Sequence, residues 1–155
     1  MMKFAEEQKL EVIVIGGYAL RAYTQARMRY TKDIDLVVMN PEDLPKLKRV
    51  ATRIGYSVKE RPHGLSGYRK VGGSAVVFNA IVEEVESTAK NIKPIYSGIP
   101  LSGIPVATIE DLLILKAKTW RDRDILDICL LILDSFEIMN IAKLKKRLQT
   151  KQFHS

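Results

Sequence analysis

Residues Val12–Val38, VIVIGGYALRAYTQARMRYTKDIDLVV, join two aliphatic, β-branched runs through a glycine pair, and the second run carries Asp33 and Asp35. The first run, within LEVIVIGG, reads as a buried strand that stops at Gly16 and Gly17. Ala19, Leu20, Ala22 and Tyr23 then fall at helical spacing, which predicts a helix from about Tyr18 to Ala26. DIDLVVMN is the next strand, closed by Asn40 and Pro41. Strand alternation sends Asp33 and Asp35 to one face, about 6.6 Å apart, while Ile34 and Leu36 enter the core on the other. Two carboxylates on one face of a rigid strand repel each other, and burial sharpens the repulsion. A pair of Mg²⁺ ions, or Mn²⁺ in their place, shared with substrate phosphates offsets it; salt bridges to Lys and Arg on an exposed face are the simpler alternative.

Gly16 and Gly17 tip the balance. They lie between a buried strand and a helix, where small residues allow close backbone approach and a helix N-terminus offers N–H groups to phosphate. The third glycine of G-x-G-x-x-G is missing, which disfavours a dinucleotide-binding oxidoreductase. A phosphate cradle and a metal-holding acid pair at the ends of adjacent strands suit attack on a nucleoside triphosphate.

Working outward, PEDLPKLKRVATRIG has proline and acids in its first turn and Leu44, Leu47, Val50, Ala51 and Ile54 on one face, and it ends at Gly55: a helix. YSVKER is a weaker strand, PHGLSG a loop by composition, and YRKV and SAVVFNAIV form a hairpin around Gly72-Gly73. EEVESTAKNI predicts a short helix, followed by the Pro- and Gly-rich KPIYSGIPLSGIP. Thr108 caps the helix TIEDLLILKAKTW, with Asp111 three residues on. Two further helices, near Arg121–Phe136 and Ile141–Gln149, complete the chain. The order is an α+β arrangement: a mixed sheet with flanking helices over about residues 1–107 and a helical C-terminal third over about 108–155, in one domain.

A chain of 155 residues suffices for one domain with its own core, and 46% apolar with 28% charged residues argue against disorder. The net charge of +7 favours an anionic partner such as a nucleotide or RNA. Part of that excess sits in KLKKRLQTK, which also fits a solvated helix face. Cys129 is the single cysteine, which excludes an internal disulfide and fits a small core residue. There is no signal-peptide h-region and no run long enough for a bilayer, so a cytoplasmic protein without membrane contact is expected.

In GGYALRAYTQARMRYTKDIDLVV the sequence resembles nucleotidyltransferases of the polymerase β superfamily, and within them the AbiEii-type toxins of type IV toxin-antitoxin systems. Their pattern Gly-Gly-x-Ala, then Arg-x-Thr-x-Asp-Ile-Asp-Leu, is met by Gly16, Gly17, Ala19, Arg29, Thr31, Asp33, Ile34, Asp35 and Leu36. The later block GIPVATIEDLLILKAKTWRDRDILDI is similar to the family's short strand, capped helix with a central lysine, and Arg-x-x-Asp helix. The resemblance implies transfer of a nucleoside monophosphate from an NTP to an acceptor hydroxyl, with pyrophosphate released. Asp33 and Asp35 would hold Mg²⁺, Gly16 and Gly17 the triphosphate, Arg29 and Lys116 would add positive charge, and Thr31 would orient the strand or a phosphate. It further implies RNA, a tRNA 3′ end included, a protein hydroxyl or a small molecule as acceptor, and an antitoxin as partner.

Several further positions bear on this reading. Relatives carry a third carboxylate on a later strand, and the aligned residue here is Asn79, which takes no proton and binds Mg²⁺ weakly. Glu83 or Glu84 would replace it only if that strand ran on; otherwise they begin the next helix. A binding module with a degraded metal site is the alternative function. Lys116 shares a helical stripe with Ile109, Leu112, Leu113 and Trp120, so it faces inward and needs an anion or a route to solvent. On the next helix Ile125, Ile128, Cys129 and Ile132 read as the buried face, with Asp124 at its edge as the partner for Lys116 and Asp127 turned outward. Arg69, beside the expected site, is a further phosphate-binding candidate.

Overall fold

The computed structural model describes residues 10–24, 32–86 and 105–150. Its five-stranded sheet has the order β1-β2-β5-β4-β3. Strands β1 (Ile13–Ile15), β2 (Asp33–Val38), β3 (Ser57–Arg61), β4 (Gly64–Val71) and β5 (Ser74–Val82) are joined by α1 (Gly16–Leu20) and α2 (Asp43–Arg53). The C-terminal part holds α3 (Ile109–Thr119), α4 (Asp122–Ser135), a 3₁₀ turn at Phe136–Ile138 and α5 (Ile141–Thr150). This is the expected α+β class with a mixed sheet: β2 and β5 are parallel, and the other pairs are antiparallel.

Register fixes the faces. Ile15 pairs with Asp35, Asp35 with Asn79, and Asn79 with Ser66, so these side chains share one face. The opposite face carries Leu36, Phe78, Ala80 and Leu65, all buried. Leu47, Val50 and Ala51 of α2 join them in the core, and Tyr56 meets Phe78 edge-on at 5.2 Å between centroids. Beyond β1, the segment around Val106 adds a parallel bridge: Val14 N–H donates to the Pro105 carbonyl (2.9 Å), and Ala107 N–H donates to the Val14 carbonyl (3.0 Å).

Several expectations shift. The first helix begins at Gly16 rather than Tyr18 and ends at Leu20, and the expected end at Ala26 lies outside the described residues. PHGLSG is mostly strand, because β4 starts at Gly64. Glycine there marks close approach rather than a loop: a Cβ on Gly67 would lie 2.0 Å from the Phe78 ring. Glu83–Glu86 are not helical, and the remainder of EEVESTAKNI and most of the following Pro- and Gly-rich stretch lie outside the described residues.

The largest departure is α4. Its buried residues are Asp124, Asp127, Leu131 and Ser135, while Ile125, Cys129 and Ile132, expected inside, are exposed. Ile128 alone of that expected face is half-buried against the core. The acids turn inward because cations wait there, and an ion pair inside the fold overrides the apolar period. Helix α5 is fastened by polar contacts: Arg147 Nη2 donates to both carboxylate oxygens of fully buried Asp111 (2.6 and 2.8 Å), and Asn140 N–H donates to Glu110 (2.8 Å). Thr108 caps α3 as expected, accepting from Asp111 N–H at 3.3 Å.

Candidate active site

A cleft of about 530 Å³ opens on the Asp33–Asp35 face of the sheet, between β1, β2, β5 and the α3–α4 hairpin. Asp33, Asp35 and Asn79 stand on adjacent parallel strands as its floor, and Gly16-Gly17 form one rim. Lys116, Lys118, Thr119, Arg121, Arg123 and Asp124 supply the far wall. Gly16 has φ +69°, and a Cβ there would come within 2.4 Å of Asp35 Oδ2. Glycine is therefore needed both for the turn and for the room it leaves beside that carboxylate.

Burial pushes the Asp35 carboxyl above its ordinary value, and the charge of Asp33 adds to the shift; a hydrogen bond from Asn79 and the charges of Lys116 and Arg123 oppose it. The Asn79 amide is aimed by its neighbours. Arg61 Nε donates to Ser66 Oγ (3.2 Å), Ser66 Oγ donates to Asn79 Oδ1 (3.0 Å), and Asn79 Nδ2 faces Asp33 Oδ2 at 3.5 Å. An amide donor thus stands where relatives are expected to carry a third carboxylate.

Lys116 lies in the wall with its side chain 8% exposed. Its Nζ is 2.6 Å from Asp127 Oδ2 and 3.8 Å from Asp124 Oδ1, so its nearer partner is Asp127, not Asp124 as the sequence suggested. The i, i+3 spacing of the two acids was the available signal, and the apolar residues beside them masked it. Asp124 is held mainly by others: Thr119 Oγ1 (2.7 Å), Arg121 Nε (2.8 Å) and Arg121 N–H (3.0 Å) all donate to Oδ2. Burial alone would raise its carboxyl, but these donors outweigh it and hold it far below the usual carboxylate range. Glu83, next along the face from Asn79 and Ile81, lines the cleft and pairs with Lys118 at 3.1 Å.

Arg69 lies away from this group. It pairs with Val76, one residue out of phase with Asn79, and its guanidinium sits near Gly55 on the α2 face. Arg29 and Thr31 lie outside the described residues. Lys32 and Arg123, which the sequence reading passed over, line the cleft; among the described residues neither has a carboxylate within ion-pair distance.

A mixed sheet with two acids two apart on the strand after a Gly-Gly turn, faced by a lysine-bearing helix, defines a nucleotidyltransferase fold, and solved structures agree. The antibiotic-resistance factor ANT(2'')-Ia superimposes with a TM-score of 0.63 at 17% identity, over 97% of this chain and 88% of its own. The lincosamide antibiotic adenylyltransferase LnuA gives 0.51 at 18% identity, over 84% and 90%. An antigenic nucleotidyltransferase-like protein from Paracoccidioides brasiliensis gives 0.55 at 15%, over 96% and 82%. The particular family comes from the sequence: residues 4–153 match the model of the nucleotidyl transferase AbiEii toxins of type IV toxin-antitoxin systems, and the chain belongs to that family. Among curated proteins none matches. Membership makes the chain a nucleotidyltransferase that transfers a nucleoside monophosphate, in a family that implies a nucleotide substrate and an antitoxin partner and generally works with divalent metal ions. No helix of the described residues is long and apolar enough to cross a membrane.

Proposed function

We propose that this chain transfers a nucleoside monophosphate from an NTP to a hydroxyl of RNA, tRNA 3′ ends included, with Asp33 and Asp35 holding Mg²⁺ or Mn²⁺. The observation that carries the proposal is the juxtaposition of Asp33, Asp35 and Gly16 in one cleft walled by cations. The donor set suits Mg²⁺, which takes one or two carboxylates and completes its octahedron with water and substrate phosphate. The fit has an electrostatic side as well: Asp35 is penalised for its charge by burial and by Asp33, and a cation relieves both. When bound, the metal supplies neutralisation of phosphate charge and alignment of the transferred group.

In the reaction the acceptor oxygen forms a bond to the α-phosphorus, the bond from that phosphorus to the bridging oxygen breaks, and pyrophosphate leaves. Gly16 and Gly17 receive the phosphates at the open rim. Arg123 and Lys32 meet the phosphate oxygens, because the charges of Lys116 and Arg121 are already balanced by Asp127 and Asp124. Lys116 keeps the α3 wall at fixed distance from Asp35 and tempers its burial penalty. Asn79 donates to Asp33 and takes no proton, so the acceptor proton leaves to Asp35 or to water. The basic α5, with Lys143, Lys145 and Lys146, and the net charge of +7 support a polyanionic acceptor.

The test is incubation with α-labelled NTPs, Mg²⁺ and separate pools of tRNA, protein and small-molecule hydroxyl compounds, reading label transfer and pyrophosphate release. Label on RNA that disappears in Asp35→Asn supports the proposal. The amide at Asn79 favours a second reading, a nucleotide-binding module; NTP binding without transfer to any pool, unaffected by Asp35→Asn, would establish that module instead.

A further inference from the structure

Helix α4 wears its apolar side outward. Ile125, Leu126, Cys129, Ile132, Leu133 and Phe136 form one exposed stripe, opposite the buried Asp124, Asp127, Leu131 and Ser135. Leu133 is 78% exposed and Phe136 59%, and Ile138 just beyond is also 59% exposed, a contiguous patch rather than scattered surface residues. The catalytic reading does not use this face, since the cleft lies on the other side of the helix.

We propose that this face pairs with the same face of a second copy of the chain, α4 against α4, antiparallel about a two-fold axis at Cys129. Apart from Phe136, whose counterpart is Asp122, the stripe is self-complementary about that residue. Leu126 and Ile132 lie three residues to either side of Cys129, and Ile125 and Leu133 four. In an antiparallel pair each Ile125 packs on the second copy's Leu133 and each Leu126 on its Ile132, while the small Cys129 side chains let the helices approach at the crossing. Charge points to the same occupant. Arg121, the N-cap of α4, and Glu137, in the 3₁₀ turn that follows it, lie eight residues to either side of Cys129, so antiparallel pairing brings each Arg121 to the end of the pair that carries the second copy's Glu137. Arg121 is more than half exposed while it holds Asp124, and Glu137 is exposed, so both are available. Antiparallel helix dipoles add to the match. Because Asp124 and Asp127 face the opposite way, pairing meets the cleft wall only at Arg121.

The experiment is sedimentation velocity on the full chain across a concentration series, combined with crosslinking by a short bismaleimide that joins two chains only through Cys129, the single cysteine. A monomer–dimer equilibrium is expected, with a crosslinked dimer that disappears in Cys129→Ser. Leu133→Asp, at a site too exposed to disturb folding, is expected to weaken dimerisation at least tenfold. Leu126→Glu should do the same, and circular dichroism melting confirms that both variants stay folded. Glu137→Arg should weaken the dimer, and Arg121→Glu combined with it should restore dimerisation. A monomer at every concentration overturns the proposal, as does a dimer indifferent to Leu133→Asp and Leu126→Glu. Monomers that bind anionic phosphatidylserine vesicles through this face, or an antitoxin that binds it while no dimer forms, overturn it too.

Discussion

Replacing Lys116 by methionine tests whether the cleft wall is held by charge. The ammonium lies 2.6 Å from Asp127 and 3.8 Å from Asp124, with side-chain exposures of 8%, 0% and 1% respectively. Asp124 keeps Thr119 and Arg121, while the fully buried Asp127 loses its ammonium partner at 2.6 Å. Removing one partner of such a buried pair costs about 3–5 kcal/mol. For a chain of this size that lowers the melting temperature by about 10 °C or more. Replacing both members, Lys116→Met with Asp127→Leu, exchanges the ion pair for apolar contact and should regain most of the loss. Urea titration of the two single variants and the double measures the coupling, and label transfer is read on the same samples. Both Lys116 variants should be inactive, because the wall loses the charge that tempers Asp35. A loss below about 1 kcal/mol in Lys116→Met would refute the buried-pair argument. A restored double variant with full activity would show the pair to be scaffolding alone.

Asn79→Asp places a third carboxylate against Asp33 and Asp35; the metal-free protein should lose about 1–2 kcal/mol at neutral pH, while Mn²⁺ affinity, read by the electron paramagnetic resonance of free Mn²⁺, should rise. Gly16→Ala, with φ +69° and a Cβ 2.4 Å from Asp35 Oδ2, should cost about 1–2 kcal/mol and weaken Mn²⁺ binding through the displaced carboxylate. The pH dependence has two opposite parts, separable by melting temperature against pH. Asp124, depressed in the fold, contributes stability above its ordinary 3.8 that is lost as pH falls through its folded value, so Asp124→Asn should flatten the acid limb. Asp35, raised in the fold, favours the native state while protonated and disfavours it as pH rises through its folded value, so Asp35→Asn should stabilise the metal-free protein at neutral pH and abolish transfer. Finally, Asp33→Asn with Asp35→Asn should bind NTP about tenfold more tightly than wild type in EDTA and gain nothing from Mg²⁺, measured by calorimetry.

What was legible in the sequence were the parts where local pattern and global packing agree. The strand, Gly-Gly, helix, Asp-x-Asp series sets the floor and rim of the cleft, because strand parity alone puts Asp33 and Asp35 on one face. The same parity placed Asn79 beside Asp35 once the two strands proved parallel and in register. Arg69 failed by that rule: one residue of phase put it behind the sheet. The α4 orientation was not legible from periodicity, since its apolar stripe is genuine but faces away from the chain's own core. Only the acid spacing, read against the inward Lys116, could have turned the helix the right way.

That orientation follows from the charge inventory of the cleft. Among the lining residues Asp33, Asp35, Glu83 and Asp124 bring four negative charges and Lys32, Lys116, Lys118, Arg121 and Arg123 bring five positive ones. Asp127, behind the lining and paired with Lys116, balances the remaining charge. Had α4 buried its aliphatic stripe instead, Lys116 and Arg121 would face Asp33 and Asp35 with no acids of their own and would close on them, filling the place a cation needs. Asp124 and Asp127 prevent this by anchoring those two bases in the wall. In the proposed reaction the acid pair is then left to an incoming divalent ion, and Lys32 and Arg123 to the phosphates that would arrive with it. Inverting the helix places an apolar face on the surface, and a site that holds its bases apart from its acids is the reason the fold carries that exposure.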